Sequence, residues 1–215
     1  MKIVFISPCF NASRNIPQLV KSLQDQDDPE WSLILIDDMS SDKTVEVIER
    51  FSRKDHRISG IINTEKKFAL RNIVETARDF ENDKDVVIAV VDGDDFICNS
   101  RTVTILKNNY KDKIDCVWTA HRWDINGMNI SKPIPEKVDP YQWPWSSSHL
   151  RTFRSNLLLQ IPDSNFKNTF GTWFERGYDQ ALMLPVIKVS REHKYVNEVC
   201  YQYNINSVSV NDRDW

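Results

Sequence analysis

Val86-Val-Ile-Ala-Val-Val-Asp-Gly-Asp-Asp-Phe96 is the stretch on which the reading of this 215-residue chain turns. An apolar run leads straight into three carboxylates packed within four positions. A short, wholly apolar segment bounded by turn residues fits a strand buried on both faces, as in a parallel sheet covered by helices. Open α/β sheets place their ligand crevice outside the carboxyl ends of the strands. Asp92, Asp94 and Asp95 therefore emerge where such folds put their chemistry. Like charges this close repel one another unless a cation or a donor-rich ligand holds them. Mg²⁺ or Mn²⁺ is commonly held by one or two carboxylates together with substrate phosphates. The plain alternative for an isolated Asp-x-Asp is an acidic turn that caps the next helix.

Outward from this strand, the residues before it alternate between two patterns. Residues 2–7 read as a first buried strand closed by Pro8, and Asn11 or Ser13 can cap a helix carrying Ile16, Leu19, Val20 and Leu23. Trp31 to Ile36 is a second strand, which also runs into carboxylates, Asp37 and Asp38. Ser40-Ser41-Asp42 then offer caps for a helix with Val45, Ile48 and Phe51 on one face. Arg57 to Asn63 reads as a third strand, and Lys66 to Phe80 as a helix with Leu70, Ile73, Val74 and Ala77 along its stripe. This alternation predicts a doubly wound α/β unit with right-handed crossovers.

After Phe96 the pattern changes. Residues 99–110 read as a helix and Asp115 to His121 as a strand. Asn126-Gly127 is a hairpin signal between residues 122–125 and 128–130. Residues 131–148 form a proline- and aromatic-rich loop, of the kind that serves as a lid or binding loop. Helices are expected from near Arg154 and over Tyr178 to Val189, and a final strand over Lys194 to Tyr203.

The composition fits a soluble globular protein, with 40% apolar and 27% charged residues. A net charge of −3 gives no general affinity for nucleic acid. The four cysteines are scattered without a CxxC pair, which argues against zinc or a disulfide framework and suits a reducing, cytoplasmic setting. No stretch reaches the roughly 20 apolar residues of a membrane span. No GxGxxG follows the first strand, and only five glycines occur in all, which speaks against a dinucleotide-dependent dehydrogenase.

Acid clusters at two parallel strand ends would face one crevice, and a carboxylate at the second strand end can accept hydrogen bonds from a base or ribose. His149, Arg151 and Arg154 could bind phosphate oxygens or neutralise a leaving group, or simply be a solvated basic helix start. Trp143, Trp145 and Trp173 could stack on a sugar or belong to the core. Glu175 and Asp179 flank a glycine before an apolar helix; either can be a helix N-terminal acid or a general base.

Five motifs, in order and spacing, resemble the inverting glycosyltransferases of family 2, with the GT-A nucleotide-sugar fold. They are Pro8-Cys-Phe-Asn11, Ile36-Asp-Asp-Met-Ser-Ser-Asp-Lys-Thr44, Ala69-Leu-Arg-Asn72, Val91-Asp-Gly-Asp-Asp95 and Gly177-Tyr-Asp-Gln-Ala-Leu182. A second likeness is to viral, chlorovirus-type glycosyltransferase domains, and implies the host cytoplasm. The family resemblance covers nearly the whole chain as one domain, with a nucleotide-binding half over about 1–97 and an acceptor-binding half over about 98–215. The abrupt end at Asp212-Arg-Asp-Trp215 suggests the N-terminal domain of a longer protein.

The resemblance implies a mostly parallel sheet flanked by helices, with a smaller antiparallel acceptor side. It implies that Pro8, Phe10 and Asn11 line the nucleotide pocket and that Asp38 meets the uracil of a UDP-sugar. Lys66 or Arg71 would lie near the base or phosphates, joined by Gly93, His149 and Arg151. Asp92 would approach the ribose, Asp94 the bridging Mn²⁺ or Mg²⁺, with Asp95 supporting. Asp179 would be the base that activates a hydroxyl of a glycan or other acceptor. Two departures stand out: Tyr178-Asp179 replaces the usual Glu-Asp, leaving Glu175 as a rival base, and no histidine follows the last strand. The rival readings are a Mg²⁺-dependent phosphohydrolase of the haloacid dehalogenase type, whose motif belongs on the first strand, and a non-catalytic nucleotide- or glycan-binding module.

Overall fold

In the computed structural model, which describes residues 1–110 and 113–205, the alternating first part forms β1 (Lys2–Cys9), α1 (Ile16–Gln24), β2 (Trp31–Asp37), α2 (Thr44–Lys54), β3 (Ile58–Ile62), α3 (Phe68–Arg78) and β4 (Val86–Val90). The second part adds β5 (Phe96–Ile97), α4 (Thr102–Asn109), β6 (Ile114–Trp123), β7 (Arg151–Arg154), α5 (Tyr178–Val189) and β8 (Glu192–Tyr203). The closing residues 212–215 lie outside the described residues.

One eight-stranded sheet joins the two parts in the order β3-β2-β1-β4-β7-β6-β8-β5. β1 pairs in parallel with both β2 and β4, and β2 with β3. The chain order therefore reverses between β1 and β4, the switch point at which such sheets open a crevice. Side chains alternate across the strands and sort the helices onto two faces. Ile3 and Phe5 pack with Ile16, Leu19 and Leu23 of α1 and with Val103 and Leu106 of α4. Val4, Ile6, Ile88 and Val90 pack on the other face with Leu70, Ile73 and Val74 of α3 and Leu182, Met183 and Val186 of α5. All five residues of β4 are buried, as its unbroken apolar run requires.

The antiparallel side begins where β7 pairs with β4. Arg151 is opposite Val90 on one side and Trp118 of β6 on the other, which sets a guanidinium in mid-sheet beside the acidic turn.

Three expectations are corrected here. Arg151 to Arg154 are strand, and the helix expected from near Arg154 is a short 3-10 helix over Ser155–Gln160. The reason is that Arg151 to Arg154 fill the slot between β4 and β6, a tertiary requirement that local propensity does not carry. The turn at Asn126-Gly127 does form, with Gly127 N–H donating to Trp123 O at 2.9 Å, but residues 128–130 are not a strand. The Asn129 side chain, at 3.2 Å, accepts the His121 amide hydrogen bond that a partner strand would have taken. The first helix is also not capped by Asn11 or Ser13: Asn15 holds that position, without a side-chain bond.

Candidate active site

The ends of β1 and β4, the turn after β2, the approach to α3, the start of β7 and the start of α5 enclose one cleft of about 640 Å³. Pro8, Phe10, Asn11, Asp38, Lys66, Asp92, Gly93, Asp94, His149, Arg151, Glu175 and Asp179 all line it. Gly93 is there because nothing larger fits. A Cβ at this position would approach Pro8 O and Cys9 Sγ to 2.9 Å, so the acidic turn could not close against β1.

On the β2 side, Asp38 is 3% exposed and organises the backbone ahead of α3. Its carboxylate accepts from Lys67 N–H at 2.8 Å, Phe68 N–H at 2.9 Å and Asn63 Nδ2 at 3.0 Å, with Lys66 Nζ at 3.4 Å. Burial alone would raise its pKa; the Lys67 amide, Asn72, Asn63 and Lys66 outweigh burial and hold it below the usual range. Phe68 has φ +61 and Asn11 φ +50, a left-handed backbone that costs about 1–3 kcal/mol away from glycine. Asp38 restrains the first of these, and the second is tied by Ser41 N–H donating to Asn11 Oδ1 at 2.9 Å. The Lys66 ammonium lies 3.2 Å from the centre of the Phe10 ring, an open platform with 45% of the residue exposed.

On the β4 side, Asp92 meets two partners from the far half of the chain. Arg151 Nη2 donates to both Asp92 oxygens, at 3.4 and 3.3 Å, and to the Tyr178 hydroxyl at 2.8 Å. The Tyr178 hydroxyl in turn donates to Asp92 Oδ1. Arg151 is 1% exposed, and its Nε has no hydrogen-bond partner. Burial raises the pKa of Asp92 against the opposing pull of Arg151. This buried knot fastens the first residue of α5 to the end of β4, and Asp179 follows directly on that helix.

Asp95 turns inward. It accepts from the Tyr201 hydroxyl at 2.7 Å and from Asn204 N–H at 2.7 Å, while Asn204 Nδ2 donates to Asp94 O at 2.6 Å. Burial, and then the charges of Asp94 and Asp92, hold Asp95 well above the usual carboxylate range. His149 stacks on Tyr201 and Tyr203 at ring distances of 4.5 and 4.9 Å, and its Nδ1 is buried without a hydrogen-bond partner, 4.0 Å from Asp92 Oδ2. Burial, then Arg151 and His121, keep this imidazole neutral. Ligand atoms of Asp92, Asp95 and His149 lie within 4.8 Å of one another. Carboxylate oxygens with one orphaned neutral imidazole suit Mn²⁺ or Mg²⁺, so the residues fit such an ion. Asp94 lines the cleft but is not part of this trio.

Several expected residues take other tasks. Arg71 is outside the lining, on α3, paired with Glu75 at 2.7 Å and Glu65 at 3.0 Å. Arg154 holds the carbonyls of Ile114, Lys84 and Tyr110. Trp145 and Trp173 pack against the second core, Trp173 stacked on Phe166 at 6.0 Å, while Trp143 is 38% exposed. Sequence reasoning missed Tyr178, Tyr201 and Arg176. Tyr178 had one visible signal, its place where a glutamate is usual; the others had none.

A parallel half with its acidic turn at the switch point, continued by an antiparallel half that closes the cleft, is the GT-A class of nucleotide-sugar fold. Residues 4–179 match the model of Glycosyl transferase family 2, and the chain belongs to that family. The structure is similar to Staphylococcus aureus TarS 1–349 in complex with UDP-GlcNAc, with TM-score 0.74 and 18% identity over 96% of this chain and 59% of that one. It is also similar to the mannosyltransferase PcManGT of Pyrobaculum calidifontis, in complex with GDP-Man and Mn²⁺ (TM-score 0.65, 14% identity, 96% of this chain and 58% of that one). These likenesses are of fold. In sequence, the chain is 31% identical over 90 residues to a teichuronic acid biosynthesis glycosyltransferase, TuaG, of Bacillus subtilis, covering 42% of this chain. It is 25% identical over 202 residues to the chondroitin synthase of Pasteurella multocida, covering 90% of this chain. It spans 34% and 20% of the lengths of these two relatives.

Proposed function

We propose that this chain transfers a sugar from a nucleotide-sugar donor, a UDP-sugar, to an acceptor hydroxyl with inversion at the anomeric carbon. The observation that carries this reading is that one cleft joins the acidic turn after β4 to Asp179 at the start of α5. The donor's base would rest against the part of the cleft lined by Pro8, Phe10, Asn11 and Lys66, on the Asp38 side. Asp94, with Asp92, Asp95 and His149, would hold Mn²⁺ or Mg²⁺. Bound there, the ion supplies neutralisation of the charge on the departing nucleoside diphosphate. Arg151 lends fixed positive charge to the same corner. Asp179 takes the proton from the acceptor hydroxyl as that oxygen attacks the anomeric carbon and the bond to the diphosphate breaks. Glu175 is the alternative base; it is exposed on the loop before α5, whereas Asp179 is part of the helix that Tyr178 anchors. Free thiols at all four cysteines support a reducing, cytoplasmic setting. Among the described residues, no helix is long and apolar enough to cross a membrane.

Incubation with a panel of UDP-sugars and Mn²⁺, followed by chromatography, tests the reading against its rival. The expected product is intact UDP released from one donor, with no inorganic phosphate from simple phosphoesters. Phosphate release without UDP release would instead mark a phosphohydrolase.

A further inference from the structure

Tyr201 is a fully buried residue of β8, and its backbone is held on both sides, opposite Ile97 of β5 and His121 of β6. β5 starts at Phe96, directly after Asp95. The register that fixes Tyr201 therefore also fixes the end of the acidic turn. A buried tyrosine hydroxyl needs a hydrogen-bond partner, and one nearby carbonyl would meet that need. Here the side chain meets three residues of one cluster instead.

The Tyr201 hydroxyl accepts from Asp92 N–H at 3.1 Å and donates to Asp95 Oδ2 at 2.7 Å. A hydroxyl has one proton to give: the Asp92 amide, a donor, cannot take it, and the Asp95 carboxylate can. Both bonds thus have a fixed direction, and together they tie the Asp95 carboxylate to the backbone at Asp92. The Tyr201 ring stacks on His149, with centres 4.5 Å apart and planes 16° from parallel, which sets the plane of the imidazole nitrogens. Asp92, Asp95 and His149 are the residues whose ligand atoms come within 4.8 Å of one another. One side chain touches all three: the backbone of the first, the carboxylate of the second and the ring of the third. Two carboxylates this close repel one another, so a tie between them has a physical task. Tyr201 itself is not among the residues that line the cleft.

We propose that Tyr201 is a positioning residue that holds Asp92, Asp95 and His149 at the spacing a Mn²⁺ or Mg²⁺ ion requires, without itself touching ion or donor. The inference rests on the metal-dependent transferase reading above. Partners that orient metal ligands from behind are worth about 10- to 100-fold in metal affinity.

Tyr201→Phe removes the hydroxyl and keeps the ring, so the core packing and the stack on His149 stay. The test is calorimetric titration of UDP at a series of Mn²⁺ concentrations, into the unsubstituted chain, Tyr201→Phe and Asp95→Asn. In Tyr201→Phe, the Mn²⁺ concentration that gives half-maximal UDP binding is expected to rise about 10- to 100-fold. Saturating Mn²⁺ is expected to restore the unsubstituted UDP affinity. That rescue separates positioning from a purely structural role, which lowers the urea midpoint in EDTA and leaves the Mn²⁺ requirement unchanged. Asp95→Asn keeps an acceptor for the hydroxyl but loses the ligand charge, and is expected to raise the requirement at least as far. An unchanged Mn²⁺ requirement in either variant, no restoration of Tyr201→Phe at saturating Mn²⁺, or loss of its cooperative urea transition overturns the inference. Absence of Mn²⁺-dependent UDP binding in the unsubstituted chain sinks the transferase reading itself; Mn²⁺-dependent binding indifferent to Tyr201→Phe sinks only the positioning role.

Discussion

Asp179→Asn is expected to lower sugar transfer by about 10²- to 10⁴-fold, the range that a positioned general base contributes, while donor affinity stays unchanged. The substitution keeps shape and removes only the proton-accepting charge. Asp179 belongs to the first turn of α5, and the neighbouring Tyr178 is fixed by its hydroxyl to Asp92 and Arg151. The base therefore has a defined place relative to the acidic turn without itself holding the fold. An aspartate in a first helical turn also contributes about 0.3–1 kcal/mol through the helix dipole, so only a small loss in urea stability accompanies the change. Steady-state rates and donor titrations on the same preparation separate the effects. Unchanged transfer in Asp179→Asn together with its loss in Glu175→Gln would move the role to Glu175.

Arg151→Met carries the largest expected effect on stability, a loss of about 3–5 kcal/mol, because it breaks a buried ion pair and leaves one charge uncompensated. Arg151 is 1% exposed between β4 and β6, and its removal leaves the half-buried Asp92 and Tyr178 without the guanidinium that both of them meet. Against a typical domain stability of about 5–15 kcal/mol, such a loss is visible as a shifted urea midpoint. Adding Asp92→Asn to the Met variant restores part of the loss, since the orphaned charge is then gone. A single-variant loss below about 1 kcal/mol, the level of an exposed pair, would contradict the buried knot.

The parallel half of the fold was legible because its signals are local. The unbroken run Val86–Val91, bounded by turn residues, fits a strand buried on both faces, and Ile16, Leu19, Val20 and Leu23 fall on a helical stripe that the structure buries. The acidic turn could be placed at the cleft from its position at a strand end alone. The antiparallel half was less legible, since its elements are defined by partners distant in sequence. Arg151 to Arg154 carry no strong strand signal; their conformation is decided by β4 and β6 on either side. The same reason hides Asp95, whose neighbours Tyr201 and Asn204 are supplied by the end of β8 and the residue just after it. Arg71 has its partners nearer in sequence. Its motif position suggested the base or phosphates, and Glu65 and Glu75, on and before the same helix, pair with it.

The central claim, a metal-dependent nucleotide-sugar site at the switch point of the sheet, is tested most directly by calorimetric titration of UDP-sugars with Mn²⁺ and again with EDTA. One UDP-sugar is predicted to bind at a single site with Mn²⁺, and that binding is predicted to disappear in EDTA and in Asp94→Ala. Equal binding with and without the ion, or no binding of any nucleotide sugar, would contradict it.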